Sequence, residues 1–294
     1  MGEGASAAPR ARAGARLTLL ALAVAGRGLV DPDEPVVHAD DEAFIRGRAA
    51  FETLRVYGGV PFRLESHLVR LAASCERIGV EPPDPEDCRA LASLALGAAA
   101  EPEAALRFYR TAGREQASAP GLVVLVNSLP HGLEERRAQG SRLVSLLGVR
   151  AEVPWLLGGV KSTSYAVNMA AEAEARARGA DDAVFVSEDG LVLEGPVTNI
   201  WWRRGSTLLT PSLDLGVLAG VTRDALLELA PLQGYEVRQG RFSLAELSEA
   251  DEAFTSSSVR ELMPVVALDG KPIPRGEAAA RLQTALREAA QRLP

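Results

Sequence analysis

The chain has 294 residues, 47% hydrophobic and 24% charged, with a mean hydropathy of +0.03, the balance of a folded globular protein with ample core. That composition excludes disorder for the bulk of the sequence. A formal net charge of −7 argues against a nucleic-acid surface, which needs a basic stripe to displace counterions, and leaves small molecules as the expected partners.

Residues 1–16 are rich in Gly, Ala and Arg and are expected as a disordered tail. The apolar run Leu17–Val24, preceded by arginines, imitates a signal peptide. It leads, however, into the strand–turn–strand pattern Ala25-Gly26-Arg27-Gly28-Leu29-Val30 with no convincing small-residue cleavage site separating the two, and it is too short to span a membrane. Phe51–Tyr57 and Val60–Arg63 flank Gly58-Gly59 as a second hairpin. Leu68, Leu71, Ala72, Cys75 and Ile78 recur at helical spacing, so a helix is predicted over 66–78, with Ser66 as N-cap and Gly79 as its stop. Pro82-Pro83-Asp84-Pro85 breaks the chain before an Ala-rich helix, and strands follow at 105–109 and 122–127. Residues 17–128 are thus expected to form a small N-terminal α+β domain.

The composition break at Ser128-Leu129-Pro130-His131-Gly132 places an interdomain linker at 129–137 and a larger C-terminal domain at 138–294. There the pattern predicts a strand over 142–149 and a helix over 165–178 ending at Gly179. Hairpins follow around Ser187-Glu188-Asp189-Gly190 and Arg204-Gly205-Ser206. A capping box at Ser243-x-x-Glu246, a strand over 253–256 and a terminal helix over 277–293 complete it.

Cys75 and Cys88 form no CxxC and have no histidine nearby in sequence, so neither a zinc site nor a disulfide framework is expected and a reduced cytoplasmic setting fits. His38, His67 and His131 show no ligand spacing and read as surface or internally satisfied histidines. Only two of the 32 basic residues are lysines, which narrows any search for amine chemistry; Lys271 lies in the turn Asp269-Gly270-Lys271-Pro272, leaving Lys161. Its setting, Leu157-Gly158-Gly159-Val160-Lys161-Ser162-Thr163-Ser164-Tyr165, is not a phosphate loop, because Val160 stands where a glycine is required.

Taken alone, Lys161 reads as a solvated loop lysine. Glu194, placed by the pattern at the end of a strand before Gly195-Pro196, changes that reading: a lysine that forms a Schiff base and a carboxylate that keeps a pyridine nitrogen protonated are the pair a pyridoxal cofactor needs. Gly220-Val221-Thr222-Arg223 opens a helix whose free N–H groups favour an anion, and Ser256-Ser257-Ser258 offers hydroxyls for the same phosphate.

These segments, in this order, resemble the class IV, fold type IV, pyridoxal-phosphate enzymes. They run Lys161-Ser-Thr-Ser-Tyr165, Leu193-Glu194-Gly195 with Thr198-Asn199, Thr210-Pro211 with Gly220-Val221-Thr222-Arg223, and Asp251-Glu252-Ala253-Phe254 with Ser258 and Pro264-Val265. The group includes branched-chain and D-amino-acid aminotransferases, (R)-amine transaminases and aminodeoxychorismate lyase. The resemblance covers residue 17 to the end and implies an α/β fold: a small α+β domain, a larger β-barrel-like α/β domain, pyridoxal 5′-phosphate in the cleft between them, and a homodimer. It further implies that Lys161 is the Schiff-base lysine and proton shuttle, that Glu194 bonds the ring nitrogen and that Tyr165 touches O3′. Arg70, Val221, Thr222, Ser257 and Ser258 would hold the phosphate, with Thr198 and Asn199 in support.

The substrate side departs from the family pattern. Arg46 and Arg48 stand where branched-chain enzymes carry a tyrosine and a small polar residue, so a simple apolar pocket is not expected. Phe44, Arg46, Arg48 and Arg107 are the candidate substrate residues, the arginines as planar forks for a carboxylate, with Arg110 considered beside them. The expected reaction is transfer of an amino group from an amino acid or (R)-amine to a keto acid or ketone. The alternatives are aminodeoxychorismate lyase, releasing pyruvate and 4-aminobenzoate, and a non-catalytic cofactor-binding protein. No metal, nucleic-acid or membrane partner is expected.

Overall fold

The computed structural model of the protein describes residues 17–114, 120–148 and 157–292. In chain order the first half holds β1 (Leu19–Val24), β2 (Gly28–Val30), α1 (Glu42–Arg46), β3 (Ala49–Tyr57), β4 (Val60–Pro61), α2 (Leu64–Arg77), α3 (Pro85–Ala99), β5 (Ala104–Thr111) and β6 (Leu122–Ser128). The six strands form one antiparallel sheet in the order β2-β1-β6-β5-β3-β4. Its inner face packs against α2 and α3 through Leu54, Leu71, Cys75, Leu91, Leu106 and Phe108. Cys75 and Cys88 are free and buried there, where desolvation pushes their thiols up to about 11 and about 12.

The second half holds α4 (Leu133–Gln139), β7 (Ser141–Leu147), α5 (Ala166–Ala177), β8 (Asp182–Val186), β9 (Asn199–Arg204) and β10 (Thr207–Pro211). After these come α6 (Val221–Leu232), β11 (Glu236–Gly240), α7 (Leu244–Ser248), β12 (Glu252–Ser257), β13 (Glu261–Leu268), β14 (Lys271–Pro272) and α8 (Ala278–Gln291). The second sheet runs β11-β10-β9-β12-β13-β7-β8, with β14 on β13, and curls into a half-barrel. It is mixed: β10–β11, β13–β7 and β7–β8 are parallel and the other pairs antiparallel. The strand period of two sends the adjacent Trp201 and Trp202 to opposite faces. Trp201 joins the core under α6 and α8, and Trp202 the core with Phe242 and Leu247. The expected mixed α/β architecture of fold type IV is the one observed.

Several local expectations need correction. Helix α2 starts at Leu64 behind Arg63 in a left-handed conformation (φ 50°), and Ser66 is exposed inside its first turn rather than capping it. Residues 129–137, read from sequence as a linker, hold most of α4, with Leu133 buried. Leu191–Val192 pair only through isolated bridges, so Glu194 follows an extended segment rather than a regular strand. The tail at 1–16, Val149 and Leu293 lie outside the described residues.

Candidate active site

A cavity of about 810 Å³ opens between the two sheets. Strand β3 builds one wall by alternation. Phe51 and Thr53 face the cavity, while Glu52 and Leu54 face α2. The register with β5 sets Tyr109 beside Phe51 and Arg107 beside Thr53. The Phe51 and Tyr109 rings stack at 5.7 Å, and Tyr165 meets Phe51 edge-on at 5.2 Å.

Lys161 comes from the segment between β7 and α5, yet the first sheet holds it. Phe51 N–H donates to Lys161 O (3.0 Å), Thr163 N–H to Ala49 O (2.9 Å), and Lys161 N–H to Ser74 Oγ on α2 (3.2 Å). Its Nζ sits 4.2 Å from the centroid of the Phe51 ring. Burial pushes the amine down to about 8; Arg70 and Arg107 push the same way, and Glu52 and Glu194 pull against them.

Glu194 is buried in the same cavity and is the one carboxylate among its described lining residues. Its Oε2 accepts the Leu218 N–H (3.0 Å), and the Leu218 carbonyl accepts the Asn199 side-chain amide (2.9 Å), so Asn199 and Glu194 hold Leu218 from its two ends. The chain turns sharply after Glu194 with Gly195 N–H donating to Thr198 O (2.8 Å). The Thr198 hydroxyl is buried at this turn without a hydrogen-bond partner among the described residues.

At one end of the cavity α6 begins at Gly220 with no side-chain cap, exposing the N–H groups of Val221 and Thr222. A Cβ at Gly220 would collide with Asn199 Oδ1, so any larger residue displaces the Asn199 side chain. Ser256, Ser257 and Ser258 line the cavity too, and the Ser256 hydroxyl accepts the Trp201 Nε1–H (3.0 Å). Arg70 donates through Nη1 to Ala219 O (2.7 Å) and through Nε and Nη2 to both oxygens of Glu52 (2.7 Å each). His67 Nδ1 lies 2.7 Å from Glu52 Oε2. Burial alone would raise the Glu52 carboxyl; Arg70 and His67 overrule it and hold it well below the usual carboxylate range.

Lys161, Glu194, Arg70, Tyr165, Thr198, Asn199, Val221, Thr222, Ser257 and Ser258 are therefore brought together around one cavity. Of the substrate candidates only Arg107 joins them; its Nε is buried without a hydrogen-bond partner among the described residues. Phe44 is 74% exposed, Arg46 is exposed, and neither lines the cavity formed by this chain. Arg48 is occupied by Glu42 Oε2 (2.8 Å) and Ile78 O (3.1 Å), and Arg110 by Glu81 O (2.7 Å). The sequence reading missed Phe51, Tyr109 and the Glu52–His67 pair; the alternation of β3 and the spacing of α2 could have located Phe51, Glu52 and His67, whereas Tyr109 is set by the pairing of β5 with β3.

Amino-transferase class IV is the family matched by residues 49–268. A protein of Mycobacterium tuberculosis named as a bifunctional aminodeoxychorismate lyase and D-amino acid transaminase is 35% identical over 262 residues, covering 84% of this chain and 91% of its own length. The aminodeoxychorismate lyase of Bacillus subtilis is 32% identical over 256 residues, covering 84% of this chain and 86% of its own. Among solved structures, a hypothetical aminotransferase from Mycobacterium tuberculosis in its PLP-bound form superposes with a TM-score of 0.87 at 34% identity, covering 92% of this chain and 98% of that one.

Pyridoxal phosphate is the group this family carries, and the donor set here fits it. An amine, a carboxylate, an uncapped helix N-terminus with an arginine beside it, and an orphaned buried hydroxyl face one cavity. The chain belongs to the class IV aminotransferase family: an enzyme of fold type IV whose cofactor is pyridoxal 5′-phosphate.

Proposed function

We propose that this enzyme is a transaminase that moves an amino group from an amino acid or (R)-amine donor to a keto acid or ketone, with Lys161 as the amine that carries the chemistry. The observation that supports it is the enclosed Lys161 amine, depressed to about 8, in one cavity with Glu194. When bound, pyridoxal phosphate supplies an aldehyde that takes up the donor's amine and a ring that draws electrons from it. Lys161 Nζ, near its pKa at physiological pH, takes the proton from the donor's α-carbon and returns it later in the transfer. The Glu194 carboxylate, oriented by the Leu218 N–H, holds a proton on the ring nitrogen. Arg70, the Val221 and Thr222 end of α6, Ser257 and Ser258 hold the phosphate, with Thr198 and Asn199 bracing the Glu194 turn. Tyr165 contacts the ring's phenolic oxygen, and the Phe51–Tyr109–Tyr165 wall excludes water. Arg107, with no ion-pair partner among the described residues, takes a substrate carboxylate as a planar fork.

The working enzyme is proposed to be a cytoplasmic homodimer acting on small molecules, with neither nucleic-acid nor membrane partners. The two free buried cysteines support the reducing setting. Exposed Phe44 and Ile45 on α1 and Met169 on α5 support the dimer, the two helices being tied where the Ser164 hydroxyl, just before α5, donates to the Gly47 carbonyl at the end of α1.

A second reading, aminodeoxychorismate lyase, is favoured by the names of two relatives above 30% identity, the first of which is named for both activities. Mixing the holoenzyme with D-alanine, L-leucine and (R)-1-phenylethylamine separately, and following the absorbance change from the aldehyde to the amine form of the cofactor, separates the two. Conversion by a donor is the expected result. No conversion by any donor, together with pyruvate release from aminodeoxychorismate, would install the lyase instead.

A further inference from the structure

Strand β13 begins with a conformational outlier. Strands β12 and β13 are joined by Ser258-Val259-Arg260, and the next residue, Glu261, has φ 55°, the left-handed conformation that hairpin loops of this length usually give to glycine. Glu261 is fully buried as well. A residue held against its backbone preference points to a role for the side chain.

That side chain collects donors from both halves of the molecule. Glu261 Oε1 accepts the Tyr57 hydroxyl (2.8 Å) and Arg287 Nε–H (3.1 Å), and Oε2 accepts from Arg137 Nη2 (2.9 Å) and Arg287 Nη2 (2.7 Å). Tyr57 ends β3, Arg137 lies on α4 and Arg287 on α8. The adjoining loop is tied in the same way: Arg55 Nη1 donates to Val259 O (3.2 Å) and Arg137 Nη2 to Arg260 O (2.9 Å). Strand alternation thus gives one face of β3 two tasks: Phe51 and Thr53 line the cavity, while Arg55 and Tyr57 grip the loop. Ser257, Ser258, Val259 and Arg260 in turn line that cavity.

We propose that Glu261 is a positioning residue for cofactor binding: its carboxylate locks the Ser257–Arg260 loop against β3, α4 and α8 and so sets the Ser257 and Ser258 hydroxyls at the phosphate end of the cavity. This rests on the reading that those serines, with Arg70 and Thr222, hold the phosphate. A glycine at 261 would relax the backbone but lose all four hydrogen bonds; a glutamine would keep the shape and lose the buried charge, leaving Glu134 as the remaining ion-pair partner of Arg137 and Arg287.

The test compares the affinities of the apo-enzyme for pyridoxal 5′-phosphate and for pyridoxal, which lacks the phosphate, in the parent, Glu261→Gln, Glu261→Gly and Tyr57→Phe. The ratio of the two affinities reports the phosphate end alone, whereas general loosening of the fold weakens both ligands together. Glu261→Gln is expected to lower the ratio about tenfold, as for loss of a hydrogen bond to a charged group, with pyridoxal affinity unchanged. Glu261→Gly is expected to lower it as much, and Tyr57→Phe, which removes one donor and leaves the charge balance intact, to lower it less. A parent-like ratio in Tyr57→Phe and in whichever Glu261 variants fold would overturn the proposal. Arg70→Ala serves as the control for the reading beneath it: a ratio unchanged in that variant would place the phosphate elsewhere.

Discussion

Lys161 is buried in the cavity as an amine, and that burial carries two predictions. Its pKa falls from the ordinary lysine range to about 8 on folding, chiefly through burial. Below pH 8 both folded and unfolded states hold the proton, and the folded state bears the cost of burying a cation. Above 8 the folded state has lost the proton while the unfolded chain keeps it up to the ordinary lysine value, so this residue's contribution to stability rises with pH across that window. Lys161→Met is therefore expected to abolish turnover in the presence of cofactor and yet raise the stability of the apo-protein at pH 7 by about 1–3 kcal/mol, the Phe51 ring offsetting part of the desolvation in the parent. Scanning calorimetry of the two apo-proteins checks this; a variant less stable than the parent would contradict it. The second prediction follows from the neutral amine being the form that attacks an aldehyde. The rate at which the apo-enzyme captures pyridoxal phosphate should rise with pH and level off above about 8, and a stopped-flow profile still climbing at pH 10 would show an unperturbed lysine.

At the scale of elements, β3 and α2 form one device. Alternation on β3 sends Phe51 and Thr53 to the cavity and Glu52 to α2, where His67 and Arg70, three residues apart on one helix face, close on its carboxylate. Replacing Glu52 by Gln leaves Arg70 buried without its balancing charge, which is expected to destabilise the protein by about 3 kcal/mol in chemical denaturation. A loss below ~1 kcal/mol would mean the pair is solvated. Gly220→Ala drives a Cβ into Asn199 and is expected to weaken cofactor binding at least tenfold, measured by fluorescence titration, because the side chain that fixes Leu218 must move.

Much at this scale was legible in the sequence. The capping box at Ser243 and Glu246, the glycine turns at 58–59 and 205, and the arrest of helices at Gly79 and Gly179 are local chemistry and stand where expected. Helices α1 and α4 were missed because five and seven residues are too few to show a period. The parallel pairing of β13 with β7 and β7 with β8 joins segments remote in sequence, which no local pattern encodes. Among the arginines, residue type alone could not separate Arg107, aimed into the cavity, from Arg48, held by Glu42 and the Ile78 carbonyl.

The whole molecule is two sheets with a cleft between them, and the chemistry is divided across that cleft. The first sheet and its helix supply Arg70, Phe51 and Arg107; the second supplies Glu194, the α6 N-terminus and the serine turn; Lys161 belongs by sequence to the second and is pinned by backbone bonds to the first. Two proposals follow at this scale. The exposed apolar residues of α1 and α5 predict a particle of twice 31.1 kDa in light scattering, and Phe44→Glu should shift it toward the monomer. The assignment of the amine can be read directly, because the chain has only two lysines, Lys161 and Lys271. Reduction of the holoenzyme with borohydride, followed by digestion and mass spectrometry, fixes the cofactor to whichever lysine holds it. The account predicts the label on the peptide containing Lys161; a label on Lys271, or on neither, would contradict it.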